Sequence, residues 1–340
     1  MAGIFTLRQA YNKQLTKNSS TSGVPAWPDS TGLNYTKGWW GGGYGPANST
    51  EVFRIDFAND TVSPSVRGPL PTRAASACGN KDYGWFLGYS TSSQTLIYRM
   101  EYQNDFATAS TRGAITAGRY GASSGGNKDY GYIAKAYKGA YPISGGLTNT
   151  QRITYSNDLA STTSVGNLNS DSFKGAVTGN ITYLWWMGGN TGASSGGPMT
   201  SSIDRLTFSS DLSTASSRGA LASSRYSMYS HGNNNYGWII GGSLIPYGGV
   251  TTVDRIDFGS DLSTATVRGL MQTNITESCA GGNRNYLWAV GAGTQSSTYK
   301  SNIFRLDFSN DLVLVGERAP LPGVRQSLNV GHHGHFDYNS

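Results

Sequence analysis

Short alternating runs of apolar residues, separated by polar turns, recur along the whole chain. In VFRIDFANDT (52–61), Phe53, Ile55 and Phe57 fall on one face of an extended segment, and such a period of two predicts a β-strand. Other runs, such as YGWIIGG (236–242), combine aromatic and branched residues and end at a glycine pair. No comparable helical periodicity extends over the chain, so the pattern predicts an all-β protein.

These runs belong to a unit that occurs six times. Its anchoring arginines are Arg54, Arg99, Arg152, Arg205, Arg255 and Arg305, with spacings of 45, 53, 53, 50 and 50 residues. An aspartate follows six residues after each arginine: Asp60, Asp105, Asp158, Asp211, Asp261 and Asp311. A second arginine follows thirteen residues after the first in five copies, and the third copy has Val165 there.

Each unit contains four predicted strands, which is the pattern of a β-propeller blade. The Asn-Asp or Ser-Asp pair before the fourth strand is typical of a turn in which the carboxylate accepts a bond from a nearby backbone N–H. The first recognisable strand (37–42) is a second strand, and the last (325–331) is a first strand. The two ends therefore complete one blade. The sequence predicts a six-bladed propeller over residues 35–340, with residues 1–34 outside it.

The order of these elements resembles the kelch repeat, although the tryptophan that kelch units carry in the fourth strand is replaced here by Arg-Gly. The repeat sequence RIDFSNDLSTASxRGxL, parts of which occur in each copy, resembles the repeats of kelch-like proteins of tailed bacteriophages, especially marine ones. That resemblance covers about nine tenths of the chain. It implies a kelch-like propeller and a virion component.

Composition narrows the classes further. Glycine is frequent (46 of 340 residues), aromatic residues make up 12% and charged residues only 14%, which disfavours disorder and coiled coils. The net charge of +6 is dilute and no basic run occurs, so we expect no nucleic-acid partner. No apolar run approaches a membrane span, and the N-terminus lacks the apolar core of a signal peptide.

The segment before the ring combines apolar residues near helical spacing with a Ser/Thr/Gly/Pro-rich linker. We expect it to be an arm that docks the propeller onto other virion proteins, and a frayed tail is the alternative. The residues predicted to dock are Ile4, Phe5, Leu7, Tyr11 and Leu15.

The search for catalytic chemistry yields no catalytic residue, cofactor or metal ligand set. A catalytic carboxylate pair is needed once, whereas the aspartate recurs in every unit, so its role is predicted to be structural. The anchoring arginines and the acidic residues two positions later, such as Asp56, are expected to form ion pairs or hydrogen bonds within or between blades, and contact with a ligand is the alternative. For His333 and His335, a polar turn beside the strands that close the ring is expected, and a metal site is the alternative. His231 is also predicted to lie in a turn.

The two cysteines and the variable loops complete the sequence predictions. Cys78 and Cys279 each lie 24 residues after an anchoring arginine, which predicts equivalent sites in different blades and two buried free thiols rather than a disulfide. The connections between second and third strands differ most between copies. Their candidate recognition residues, expected at loop tips, are Tyr137, Tyr141, Ile245 and Tyr247. Packing of these side chains against the blades is the alternative.

The function expected from these features is a non-enzymatic structural or adhesion component of a phage virion. It would be a tail fibre, a tail-tip appendage or a capsid-surface appendage that is assembled in the host cytoplasm. The alternative is a carbohydrate-binding adhesin that recognises a host surface glycan or receptor, and an enzyme with a concealed site is a third possibility. Neither nucleic acid nor membrane insertion is expected.

Overall fold

The computed structural model describes residues 36–43, 49–88, 95–116, 118–138, 146–192, 197–244, 248–277, 279–293, 299–312, 314–324 and 329–330. The proposed arm, residues 1–34, lies outside this part of the chain. No helix among the described residues has the length and apolar character needed to cross a membrane.

Almost all of the described regular structure is β. In chain order the strands are β1 Lys37–Gly41, β2 Val52–Asp56, β3 Ser65–Arg67, β4 Ala74–Gly79, β5 Tyr83–Gly88, β6 Leu96–Glu101, β7 Ser110–Ala114, β8 Arg119–Tyr120, β9 Ser123–Gly126, β10 Tyr130–Ala134, β11 Tyr137–Lys138, β12 Leu147–Thr154, β13 Thr163–Ser172, β14 Ala176–Gly179, β15 Tyr183–Asn190, β16 Met199–Thr207, β17 Ser216–Ala220, β18 Tyr229–Gly232, β19 Tyr236–Ile240, β20 Ser243–Leu244, β21 Gly248–Gly249, β22 Thr252–Asp257, β23 Thr266–Leu270, β24 Cys279–Gly282, β25 Tyr286–Gly293, β26 Tyr299–Asp307, β27 Gly316–Arg318 and β28 Asn329–Val330. Short 3₁₀ turns span Tyr102–Asn104, Tyr155–Asn157, Phe208–Ser210, Phe258–Ser260 and Phe308–Asn310.

The strands form six antiparallel sheets of four strands, which are the six predicted blades. From the innermost strand outward they are β28-β1-β2-β3 (blade 1), β4-β5-β6-β7 (blade 2), β9-β10-β12-β13 (blade 3), β14-β15-β16-β17 (blade 4), β18-β19-β22-β23 (blade 5) and β24-β25-β26-β27 (blade 6). Two short hairpin-like pairs, β8 with β11 and β20 with β21, lie outside the blades.

Blade 1 is assembled from both ends of the described chain. Strand β28 pairs antiparallel with β1, with Trp40 opposite Val330 and Gly41 opposite Asn329. The innermost strands of neighbouring blades contact one another around the whole ring, including β24 with β28 and β28 with β4. The predicted closure is confirmed, and it removes the exposed sheet edge that an open ring would have.

Small residues on the innermost strands allow them to approach closely. The strand sequences include SSGG in β9 and CAGG in β24, and both strands are buried throughout. Serine side chains link these strands across blade boundaries: Ser124 Oγ donates to the Ala77 carbonyl at 2.6 Å, and Ser230 Oγ donates to the Val177 carbonyl at 2.7 Å. The axis is therefore held by side chain to backbone hydrogen bonds as well as by packing.

Each blade interface is built on the repeated aspartate. Asp158 of blade 3 is buried, and its Oδ2 accepts hydrogen bonds from Trp85 Nε1 at 2.8 Å and Arg99 Nη1 at 3.0 Å of blade 2. The second arginine of blade 2, Arg112, places Nε 3.6 Å from the same oxygen. The Trp85 ring stacks on Tyr155 with centroids 3.9 Å apart, which adds about 1 kcal/mol to the apolar burial. We call this group of one aspartate and its donors a node.

Six nodes of this kind surround the ring. The pairs of anchoring arginine and aspartate are Arg54–Asp105, Arg99–Asp158, Arg152–Asp211, Arg205–Asp261, Arg255–Asp311 and Arg305–Asp60. Each arginine thus reaches the aspartate of the next blade, and the last node joins blade 6 to blade 1. The anchoring arginine does not pair with the acidic residue two positions after it. That residue accepts a hydrogen bond from the backbone of its own turn instead: Asp257 Oδ1, for example, accepts from Gly259 N at 2.9 Å.

The nodes correct the sequence interpretation of the repeated aspartate. Its carboxylate binds the neighbouring blade instead of the backbone of its own turn. Burial by itself raises the pKa of Asp311, but hydrogen bonds from Arg268 and Trp238 and the charge of Arg255 outweigh burial, so that its pKa lies below the ordinary value. The Asp311 carboxylate is therefore held in its charged form.

The glycine of the repeated Arg-Gly pair is required by a close approach between blades. Gly113 N donates to the Asp158 carbonyl at 2.7 Å, and a β-carbon on Gly113 would overlap the carbonyl oxygen of Ala160. Blade 6 has Ala319 at this position, and its bond to the Asp60 carbonyl is longer, at 3.2 Å. In blades 1 to 4 and 6, the backbone of the outer strand thus reinforces the node beside it.

We predict that Asp158→Asn lowers the free energy of unfolding by about 3 kcal/mol, because it removes the buried charge that binds two partly exposed guanidinium groups and the buried Trp85 Nε1. Urea unfolding followed by tryptophan fluorescence measures the change. The control is Asp82→Asn, whose half-exposed carboxylate contacts only Lys81 and whose loss should change stability by less than about 0.5 kcal/mol. Equal effects of the two substitutions would contradict the role assigned to the nodes.

Candidate functional site

The two faces of the ring differ in what they carry. The connections from second to third strand and from each blade to the next lie on one face, which we call the loop face. The opposite face carries the turns between first and second strands and between third and fourth strands, and we call it the turn face. The connections that vary most in sequence are therefore gathered on the loop face.

The structure describes only part of the loop residues selected from the sequence. Tyr141, Ile245 and Tyr247 lie outside the described residues. Tyr137 does not lie at a loop tip: its backbone belongs to β11 and pairs with Tyr120 of β8. The same kind of pairing joins Tyr226 to Ser243, with Ser243 N donating to the Tyr226 carbonyl at 2.8 Å. The stems of these loops are therefore extensions of the sheet structure.

Beneath the loop of blade 3 lies Lys135, a residue that sequence reasoning missed. It follows β10 at the position where other blades have the first residue of the glycine pair. Those glycines adopt a positive φ, at Gly42 (69°), Gly188 (54°), Gly241 (61°) and Gly291 (60°). Lys135 adopts the same left-handed conformation with φ 51°, and its side chain is fully buried. This conformation is less favourable by about 1 kcal/mol for a residue that has a side chain than for glycine. Contacts of the lysine side chain with its surroundings therefore offset the cost.

The surroundings of Lys135 are polar and acidic. Its Nζ donates to Ser170 Oγ at 2.8 Å, and Ser170 Oγ donates in turn to Asp204 Oδ2 at 2.9 Å. Ser202 Oγ also lies 3.0 Å from Ser170 Oγ. Burial lowers the pKa of Lys135 to about 8, with the charges of Asp204 and Asp171 opposing the shift. Ser170 thus connects a buried cation of blade 3 to a buried carboxylate of blade 4.

Blade 5 has a second buried ion pair at a related position. Arg225 and Asp254 are both fully buried, with Nη2 of the arginine 3.1 Å from Oδ2 of the aspartate. Arg225 Nη1 also donates to Thr252 Oγ1 at 2.8 Å. Burial raises the pKa of Asp254 and the charge of Arg225 opposes this rise. In blade 3, Arg119 is similarly buried and donates to the Asn149 carbonyl at 3.0 Å, and burial lowers its pKa to about 10.

A third polar group lies where the chain enters the innermost strands of blades 3 to 6. The residues two or three positions before those strands are left-handed, namely Gly121, Lys174, Ser227 and Glu277, with φ between 51° and 60°. Lys174 N donates to the Gly121 carbonyl at 2.8 Å, and Ser227 N donates to the Lys174 carbonyl at 2.7 Å. An ion pair of Lys174 with Glu277 joins the segment before blade 4 to the segment before blade 6. These residues surround the end of the ring axis on the loop face.

Apart from the node aspartates, the buried charged side chains of the described residues are confined to one half of the ring. The residue before the anchoring arginine is aromatic in blades 1, 2 and 6 (Phe53, Tyr98 and Phe304), whereas in blades 3, 4 and 5 it is Gln151, Asp204 or Asp254, all buried. We call the following set the polar layer: Lys135, Ser170, Lys174, Asp204, Arg225, Asp254 and Glu277. The polar layer lies below the variable loops of blades 3 to 5, and it can position those loops from fixed, hydrogen-bonded stems. The break in the repeat at these positions was the signal in the sequence that could have located it.

The remaining candidate residues are placed as follows. Cys78 and Cys279 are buried free thiols, as predicted, and burial raises the pKa of Cys78 to about 12. The prediction that they occupy equivalent sites is wrong, because Cys78 lies opposite Trp85 and Cys279 opposite Val290, two positions further along the second strand. The spacing misled because the connections before the inner strands differ in length.

The histidine predictions are only partly testable. His333 and His335 lie outside the described residues. His231 is not in a turn: it lies in β18, fully buried, opposite Trp238, with its ring 6.2 Å from that of Phe308. Across the described part of the chain, no three His, Cys, Asp or Glu side chains are grouped so as to hold a metal ion.

Comparison with known proteins supports the fold. No family model matches the chain, and no curated protein matches it. The solved structure of YjhT is similar, with a TM-score of 0.68 over 84% of this chain and 95% of that chain, at 10% sequence identity. A likeness at this identity concerns the architecture alone, and it agrees with the six-bladed propeller.

We predict that the stability contributed by Lys135 depends on pH. Because its pKa is about 8 in the folded protein and higher when unfolded, the folded protein releases this proton first as pH rises. The free energy of unfolding of the wild type, relative to Lys135→Met, should therefore increase by about 2 kcal/mol between pH 7 and pH 10. Urea unfolding at both pH values measures this difference. The exposed Lys128→Met is the control and should show no such trend, and a constant difference for Lys135→Met would contradict the prediction.

Proposed function

We propose that this chain is a non-enzymatic component of a bacteriophage virion. In this role it is a tail fibre, a tail-tip or a capsid-surface appendage, assembled in the host cytoplasm. The ring presents the loop face outward, and residues 1–34 attach it to other virion proteins. The resemblance of the repeat sequence to the repeats of kelch-like phage proteins supports the association with a virion.

The observation that carries the proposal is the polar layer beneath the loops of blades 3 to 5. An attachment protein must hold its recognition loops in a fixed relation while their sequences vary, since rigid stems reduce the entropy lost on binding. The ion pair of Arg225 with Asp254 and the chain from Lys135 through Ser170 to Asp204 provide such stems on one half of the ring. The six nodes make the support below them rigid.

The distribution of charge also favours display over catalysis. The repeated carboxylates are engaged in the nodes, where each accepts hydrogen bonds from the neighbouring blade. Asp211, for example, accepts from Tyr132 Oη at 2.8 Å and from Arg152 Nη1 at 2.7 Å. A general acid or base must contact the substrate, whereas these carboxylates are buried and bonded to the neighbouring blade. The nodes thus serve the mechanical role of the ring.

Deletion of residues 1–20 is predicted to abolish incorporation of the chain into virus particles, because it removes the apolar part of the arm. The measurement is the amount of the chain in purified particles by quantitative mass spectrometry. The melting temperature should stay within about 2 °C of wild type, because the deletion leaves all six blades intact. Ser19→Ala with Ser20→Ala in the linker is the control and should incorporate normally. Normal incorporation of the deletion variant would refute the docking role of the arm.

A host surface glycan is the alternative ligand for the loop face. The aromatic side chains of the loops suit stacking on a sugar ring. If the chain binds glycans, an array should detect binding that is lost in Tyr247→Ala and retained in Ile181→Ala, which alters an exposed residue of the turn face. An array without any binding signal would leave a protein receptor as the target of the loops.

A further inference from the structure

The turn face carries a circle of exposed apolar side chains. In blades 2 to 6 the residue directly after the node aspartate is a large hydrophobic one, and its exposure is high in every case: Phe106 72%, Leu159 69%, Leu212 77%, Leu262 72% and Leu312 65%. We call these five residues the apolar circle. An isolated exposed leucine is ordinary, but five at one repeated position form a pattern.

The fold does not require an apolar residue at this position. The turn that buries the node aspartate directs the next side chain outward, which explains the exposure but not the residue type. Blade 1 has Thr61 after Asp60, and its node is complete, with Arg305 Nη1 3.0 Å from Asp60 Oδ2. A polar residue is therefore compatible with the node. The repeated choice of leucine or phenylalanine calls for a contact outside the ring.

The arm begins at this same face. Lys37 opens β1 opposite Asp56, the last residue of β2, and Phe57 N donates to the Thr36 carbonyl at 2.7 Å. The first described residue, Thr36, therefore lies on the turn face, which also carries the apolar circle. A protein bound to the arm is brought to a high local concentration at this face and away from the loop face.

The charge of the turn face indicates the chemistry of its partner. Five of the six nodes hold two arginines for one aspartate, and the side chains of the anchoring arginines remain 20% to 26% exposed. Exposed acids at the ends of the third strands, Asp56, Glu101 and Asp257, offset part of this excess of positive charge. The arginines lie next to the apolar circle: the Arg67 guanidinium lies 4.3 Å from the Phe106 ring centroid. The arm has the same character, since residues 1–28 contain Arg8, Lys13 and Lys17 and no acidic residue. The basic arm and the arginines beside the apolar circle both fit an acidic, apolar surface.

We infer that the turn face is a second docking surface, which binds an acidic protein surface with exposed apolar side chains on the particle, the same protein that binds the arm. This inference rests on the proposed function. In this arrangement the apolar circle faces the particle and the variable loops point away from it. The leucines provide apolar contact, and the partly exposed node arginines provide donors for carboxylates of the partner.

The test uses the full chain with Leu212→Ser and Leu262→Ser combined. The expected result is a loss of at least about tenfold in incorporation into particles, as for central apolar contacts of an interface. The matched control is Leu270→Ser, an exposed leucine on the fourth strand of blade 5, outside the apolar circle, which should incorporate normally. Urea unfolding of all variants should remain as in wild type, because these side chains are solvated.

A photo-crosslinking residue at position 212 identifies the partner in purified particles. The expected product joins the chain to a virion protein through a segment rich in Asp or Glu and apolar residues, and the same probe at position 270 should give none. Cross-links to a second copy, or to residues 1–35 of the same chain, would overturn the inference and assign the apolar circle to self-association or to the arm.

The two proposals fail separately in these experiments. If the leucine variants incorporate normally while the deletion of residues 1–20 does not, the docking role of the turn face is refuted and the role of the arm stands. If neither change reduces incorporation, the docking roles of the arm and of the turn face are both refuted. The proposed virion role itself is refuted if the wild-type chain is absent from purified particles. If the leucine variants lose incorporation while the arm deletion keeps it, the turn face alone attaches the ring.

Discussion

The whole structure depends on a buried carboxylate that each blade inserts into the interface with the preceding blade. At Asp261 this group accepts hydrogen bonds from Trp185 Nε1 at 2.8 Å and Arg205 Nη1 at 3.0 Å, while the Trp185 ring stacks on Phe258. A buried charge of this kind is costly unless all its partners are present. Because the donors and the acceptor belong to different blades, a node exists only when two blades are docked. Six such nodes therefore favour the closed ring over any arrangement of separate sheets.

One node departs from the pattern and illustrates how much variation it tolerates. Between blades 3 and 4 the tryptophan is replaced by Tyr132 and the second arginine by Val165. The Tyr132 hydroxyl still donates to Asp211 at 2.8 Å, and burial together with this bond raises its pKa, so that it remains a donor. This interface has one cation fewer, and it is also the boundary that Lys135 crosses through Ser170 to Asp204. The weakened node and the added polar contacts thus occur together.

The two faces of the ring differ because the repeat constrains them differently. On the turn face the node fixes the turn geometry, so whatever follows the aspartate is presented at regular intervals. On the loop face the connections are free to vary in length, and only their stems are held, by the buried charges of blades 3 to 5. Under the proposed function, the regular presentation serves docking on the particle and the variable loops on fixed stems serve recognition.

Much of the architecture was available from the sequence because the repeat imposes it. The six arginines, the six aspartates and the terminal half-blades determined the number of blades, the four strands in each and the closure of blade 1 by both ends. Local patterns also indicated that the aspartates are structural and that the cysteines are buried thiols. These predictions succeed because strand periodicity and repeat spacing are properties of the chain itself.

The tertiary structure decided which groups meet. It paired each arginine with the aspartate of the next blade, placed His231 inside the core, moved Tyr137 from a loop tip into a strand and brought Lys135, Ser170 and Asp204 together from two blades. Such contacts join residues separated by tens to hundreds of positions, and no spacing along the chain encodes which of several equivalent partners is near. Only closure of the ring brings Asp60 to Arg305, 245 positions away.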